Sequence, residues 1–212
     1  MSSIKKKIGI IDTSVSNIQS VIYALKSFDI DLVVIDKYDN QDILIDGIVV
    51  PGIGSFPEVQ KKLKYNNLDK FIKKKIFKVP SLFICIGMQL LFEESEEFTN
   101  TEGLGILRGN VKKIPNNYEK LKRSVPHNGW NEVCYKNKSK IYHDIKDQSN
   151  FYFTHSYYVD PADKNIISGL TSYKQFNFCA SIEFDNIYGC QFHPEKSSQD
   201  GLRLYKNWID LI

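Results

Sequence analysis

Four short runs of apolar residues, Ile8 to Ile11, Leu32 to Ile35, Ile48 to Val50 and Ser81 to Ile84, constrain this chain more than any other feature. A strand with one wet face alternates apolar and polar residues, whereas a strand covered on both faces reads as an unbroken apolar run. The runs therefore predict a parallel sheet sandwiched between helices. After the first run, Ile18, Val21, Ile22 and Leu25 recur at i, i+3, i+4 and i+7, the stripe of an amphipathic helix ending near Phe28. Ser16 and Gln19 have the spacing of a capping box at its start. Val59, Leu63, Leu68, Phe71 and Ile72, set among lysines, read as surface helix.

The second half changes texture. Val111 to Ile114, Asn131 to Tyr135, Phe151 to Val159, Cys179 to Phe184 and Ile187 to Phe192 read as strands, with a hairpin turn at Asp185-Asn186. A closing helix from about Ser198 carries Leu202, Tyr205, Trp208, Ile209 and Ile212 on one face. The predicted fold is α/β: a central, mostly parallel sheet flanked by helices, with additional antiparallel strands in the C-terminal half. At 212 residues the chain fits one domain, 1–212, with no internal repeat or linker.

A balance of 28 basic against 25 acidic residues leaves +3, too weak a field to make nucleic acid or an anionic membrane the leading partner. The clustered lysines read as solvated faces. Cys85, Cys134, Cys179 and Cys190 are scattered through a chain long enough to fold without disulfides, which predicts free thiols and a cytoplasmic location. The apolar run after the N-terminal lysines is too short for an export signal, and no stretch is long enough to span a membrane. His127, His143, His155 and His193 show no metal-binding spacing, so neither metal nor cofactor is expected.

Chemistry concentrates in three segments. Cys85 falls where the run Ser81 to Ile84 gives way to helix, the position of a nucleophile elbow, with Gly87 permitting close approach of helix and strand. On that segment alone it is equally a small buried hydrophobe. Gln191-Phe-His193-Pro-Glu195 supplies a base: Pro194 keeps His193 extended, and residues i and i+2 of an extended segment share a side, so Glu195 can orient the imidazole. Pro51-Gly-Ile53-Gly54 follows the third run and can present N–H donors to an oxyanion. By itself it reads as an ordinary strand-to-helix turn, and it lacks the third glycine and Lys-Ser/Thr ending of phosphate loops.

Taken together, PGIGSF, ICIGMQLLFEES, VPHNGWNEV, FYFTHSYYV and YGCQFHPEKS resemble the triad-type glutamine amidotransferases, and more narrowly the glutaminase subunits of imidazole glycerol phosphate synthase. The resemblance implies Cys85 as nucleophile, His193 as base and Glu195 as its orienting acid. It implies an oxyanion hole from the amides of Ile53 and Ile86, the former after a rearrangement of the PGIG strand. L-Glutamine would be held by Gln89 with Gly52, His155, Ser156 and Tyr157. A (β/α)-barrel synthase subunit would receive the ammonia, with Trp130, Asn131 and Lys196 near the interface, and the product would be imidazole glycerol phosphate and AICAR in histidine biosynthesis. Three alternatives stay open: the same glutaminase serving amidino-sugar synthesis for surface polysaccharides, a catalytically silent regulatory subunit, and a cysteine hydrolase acting alone on a peptide or small amide. Phe83 stands where this family has the first glycine of the elbow, and Asn128 where it has methionine. The ring at 83 is expected to fill a pocket left by smaller neighbours, pointing away from the thiol.

Overall fold

In the computed structural model of the chain, residues 5–15, 18–115, 125–135 and 139–212 are described. The four apolar runs become strands β1 (Lys6–Ile11), β2 (Ile30–Ile35), β3 (Gly47–Gly52) and β4 (Ser81–Cys85). They lie parallel in the order β2-β1-β3-β4. Both central strands, β3 and β4, are buried along their whole length, as unbroken apolar runs require. β2 departs from that expectation: as the outermost strand it is only partly covered, and Val34 is exposed.

Helix α1 (Ile18–Leu25) turns Ile18, Val21 and Leu25 into the core. Ser16, and with it the capping box, lies outside the described residues. The lysine-rich stretch forms two helices, α2 (Phe56–Tyr65) and α3 (Leu68–Lys75), parted by Asn67 in a left-handed conformation at φ 56. After β4 comes a short helix, α4 (Ile86–Leu90). The last helix, α5 (Ser198–Asp210), buries Leu204, Tyr205, Trp208 and Ile209, while Leu202 is only half-buried.

The sheet continues past β4 into β13 (Ile187–Cys190), again parallel, and then through β12 (Phe176–Phe184), β11 (Ile167–Tyr173), β8 (His127–Tyr135) and β9 (Ser149–His155), each antiparallel to its neighbour. A two-residue turn at Asp185 and Asn186, with Asp185 at φ 52, joins β12 to β13 as the sequence predicts. The run from Phe151 to Val159, read as one strand, is two. β9 ends at His155, and β10 (Tyr157–Pro161) belongs to a second sheet with β7 (Gly109–Lys113), β5 (Glu94–Ser95) and β6 (Thr101–Glu102), in the order β10-β7-β5-β6. Ser156 is the crossing point, and it brings the small sheet over the carboxyl end of β4. One apolar cluster runs from Ile8 in β1 to Ile209 in α5.

Candidate active site

Cys85 is the last residue of β4 and stands immediately before α4, at φ 55 and ψ −113. Such a backbone costs a side-chain-bearing residue roughly 1–3 kcal/mol and persists only where the surroundings enforce it. The enforcement is visible. A Cβ on Gly87 would lie 2.0 Å from the carbonyl oxygen of Val50, and one on Gly52 would lie 2.7 Å from the amide nitrogen of Gly87. Only hydrogen at both positions lets α4 sit this close to β3. The turn therefore cannot relax, and the sulfur projects beyond the sheet edge.

His193 and Glu195 follow β13, the strand hydrogen-bonded beside β4. His193 Nδ1 lies 2.7 Å from Glu195 Oε1, and both side chains are buried. With Nδ1 engaged by the carboxylate, Nε2 is the nitrogen left to serve the thiol, and it has no hydrogen-bond partner among the described residues. Burial pulls the His193 pKa down, but the Cys85 sulfur and the Glu195 carboxylate outweigh it and hold the imidazole at about 10. These neighbours favour the protonated ring. The segment is tied to the sheet's last strand: His193 N–H donates to Tyr152 O (2.9 Å), Tyr152 N–H donates to Ser197 Oγ (3.0 Å), and that hydroxyl donates to His193 O (2.6 Å).

A cleft of about 360 Å³ opens on the sulfur. Of the residues singled out in the sequence, Ile53, Cys85, Ile86, Gln89, His155, Ser156, Tyr157 and Lys196 line it. Gly52 lies directly beside Cys85 in the register of β3 and β4 and acts through the close approach rather than as lining. Phe83 is fully buried and is absent from the cleft wall.

Two residues that sequence reasoning missed belong to the site. Gln191 donates to Cys85 Sγ (3.5 Å) and accepts from Gln89 Nε2 (3.0 Å). Nothing in the sequence marked it, since both partners lie more than a hundred positions away. Glu97 supplies a carboxylate to the cleft wall, its Oε2 accepting from the Phe56 N–H at the start of α2 (2.7 Å). Burial pushes its carboxyl up, partly offset by that bond. Nothing in the run Glu93-Glu-Ser-Glu-Glu97 distinguishes one acid from the next; only the small sheet does.

The outer face of β8 and β9 continues from the cleft rim. Trp130 is exposed and sits edge-on to Tyr152 (6.1 Å between ring centroids), the Tyr152 hydroxyl donates to Asn128 Oδ1 (2.8 Å), and Lys196 lies over the Tyr152 ring. Asn131 is on the other face: its amide donates to Thr171 Oγ1 (2.8 Å) and Ser172 O (3.0 Å), clamping β8 to β11. Among the described residues no group of three or more His, Cys, Asp or Glu could hold a metal ion, and no helix is long and apolar enough to cross a membrane.

A buried Cys-His-Glu set at a strand-to-helix elbow in an α/β sheet defines a class of enzyme. Residues 9–210 match the family model described as glutamine amidotransferase class-I. A GMP synthase component from Thermoplasma acidophilum has the same fold, with a TM-score of 0.71 at 19% identity over 99% of this chain and 94% of that one. The imidazole glycerol phosphate synthase subunit HisH of Pyrococcus furiosus is 43% identical over 95% of this chain and 97% of its own length. HisH 1 of Methanococcus maripaludis is 39% identical over 97% of this chain and 100% of its own. The chain belongs to the class I glutamine amidotransferases and, within them, to the HisH family.

Proposed function

We propose that this protein hydrolyses L-glutamine to glutamate and ammonia through a thioester on Cys85, and hands the ammonia to a (β/α)-barrel synthase subunit that makes imidazole glycerol phosphate and AICAR for histidine biosynthesis. The observation that carries the reading is the strained Cys85, with its His193–Glu195 pair behind it, opening into a cleft that also holds Gln89 and Glu97. The Cys85 thiolate attacks the side-chain amide carbon, and the N–H groups of Ile53 and Ile86 receive the oxyanion. The imidazolium of His193 protonates the departing nitrogen, which leaves as ammonia. Neutral His193 then takes a proton from water, whose oxygen attacks the thioester, and returns it to the sulfur as glutamate departs. Glu97 suits the substrate's α-ammonium, being a carboxylate on the cleft wall.

The names and full-length similarity of the relatives support histidine biosynthesis over amidino-sugar synthesis. Absence of the Phe83 ring from the cleft wall supports a working rather than a silent site. A partner is supported by the exposed Trp130 and Lys196, set against the half-buried Tyr152 beside the cleft, where a docked synthase would receive ammonia directly. Asn131 is proposed there only as the residue that sets the strand carrying Trp130. The whole chain acts as one domain in a soluble, cytoplasmic heterodimer on this reading. Cys85→Ala should lower glutamate formation in the complex by about a thousandfold or more while leaving partner binding intact. The isolated chain should be a poor glutaminase that the barrel partner and its ligand stimulate. Wild-type turnover in Cys85→Ala would sink the mechanism.

A further inference from the structure

At the cleft wall two buried histidines touch, His155 lining it and His127 behind it. His127 Nδ1 lies 3.1 Å from His155 Nε2, and His155 Nδ1 lies 2.8 Å from the carbonyl oxygen of Tyr157. A carbonyl can only accept, so His155 carries its proton on Nδ1. A neutral ring then has only a lone pair on Nε2, and His127 must donate to it from Nδ1. Neutrality follows from the surroundings. Burial and the neighbouring His127 push His155 down to about 3, and burial pushes His127 down to about 4.

The bonds do not stop there. The Tyr157 carbonyl also accepts from Gln89 Nε2 (3.0 Å), the same amide donates to Gln191 Oε1 (3.0 Å), and Gln191 Nε2 donates to Cys85 Sγ (3.5 Å). Both acceptor sites of the carbonyl and both donors of the Gln89 amide are thereby engaged. Reversing the His155 tautomer would turn a lone pair onto the Tyr157 carbonyl and dislodge the acceptor that orients Gln89. The His127 ring is itself held by stacking on Phe153 (4.8 Å) and Tyr173 (3.9 Å).

We propose that His127, which lies behind the cleft wall, is a positioning residue for glutamine: its Nδ1–H fixes the tautomer of His155 and so the orientation of Gln89 and Gln191 against Cys85. The inference rests on the glutaminase reading for its kinetic consequence, but not for its chemistry.

Two substitutions separate the donor from the ring. His127→Phe keeps the aromatic stack and loses the donor, whereas His127→Asn loses the ring and keeps an N–H near the position of Nδ1. In the complex with the barrel subunit, His127→Phe should lower kcat/KM for glutamine about tenfold, mostly through KM, as loss of one buried hydrogen bond predicts. His127→Asn should stay within about threefold of wild type by the same reasoning. Wild-type kinetics in His127→Phe, or His127→Asn no better than His127→Phe, would overturn the proposal. Independently, nitrogen-15 NMR of the wild-type full chain at neutral pH should find both rings neutral and protonated on Nδ1; a His155 protonated on Nε2 overturns it without touching the glutaminase reading. Should the wild-type complex release no glutamate, that reading fails alone. The tautomers, with the rate of Cys85 alkylation by iodoacetamide, altered in His127→Phe and restored in His127→Asn, would still decide the role of His127.

Discussion

Phe83 sits two residues before Cys85 and is fully buried in β4, away from the cleft wall. Its partners across the sheet are Val50 in β3 and Gly189 in β13. The side that Gly189 leaves bare is occupied by Met88 from α4 and by Ile182, which a Cβ there would meet at 2.7 and 2.9 Å, so the core around β4 is filled without slack. Phe83→Gly should therefore leave a void and lower stability by about 3–5 kcal/mol, with turnover per folded molecule little changed. Urea denaturation and partner-stimulated glutaminase rates of both proteins check this. Unchanged stability with a large gain in rate would mean that the ring blocks the site. The histidines predict a pH dependence for the fold. His127 and His155, near 4 and 3 when folded, stay neutral while the unfolded chain takes up protons below about 6.5. Their contribution is present above that pH and is lost as pH falls through 4 and 3. His193, held at about 10, works in the opposite sense: its contribution is complete below about 6.5 and fades as pH rises through 10. Stability should peak near neutrality and fall by a few kcal/mol by about pH 4. Comparing urea midpoints at neutral and acid pH should show a shallower acid loss in His127→Phe than in wild type.

Elements with a strong period were legible in the sequence, and elements defined by their neighbours were not. β1, β3 and β4 announced themselves because burial on both faces removes polar alternation. β11, Ile-Ser-Gly-Leu-Thr-Ser-Tyr, escaped because its serines, threonine and glycine break the apolar pattern; Gly169 sits at a register shift and Thr171 is used in polar bonds. The two-residue strands β5 and β6 carry no period at all, and with them the small sheet and Glu97 went unseen. The placement of Cys85, His193 and Glu195 was legible because strand-end geometry is local: Cys85 depends on one turn, and His193 reaches Glu195 within two residues. Gln191 was not, since its role depends on contact with Gln89 across 102 positions. At this scale the elbow is the most intolerant feature. Gly87→Ala would drive a methyl against the Val50 carbonyl, backbone meeting backbone, and should cost about 3 kcal/mol or more along with glutaminase activity. Gly105→Ala, at φ 62 with nothing near its Cβ, should cost only about 1–2 kcal/mol and spare activity. Chemical denaturation of the two variants side by side tests the contrast.

Seen whole, the molecule is a sheet that changes character in the middle. Four parallel pairings from β2 to β13 give way to four antiparallel ones from β13 to β9. Cys85 ends β4 and His193 follows β13, so adjacent parallel strands deliver both side chains to one edge of the sheet. The parallel half was expected from the apolar runs; that the antiparallel half extends the same sheet was not, because hairpin order is not written in composition. β9 is the last strand of that sheet. An outermost strand is a template on which another chain can add itself. Here the middle of the template is occupied: the amide and carbonyl of Tyr152 are taken by Ser197 and His193. Ser197→Ala frees the Tyr152 amide and the anchoring of the loop at one stroke. Its first symptom should be concentration-dependent light scattering, preceding any loss of secondary structure on warming; a variant that remains monomeric would show that the loop guards nothing. If the scattering appears, the seating of His193 and the colloidal behaviour of the chain would share one fastening, the Ser197 hydroxyl.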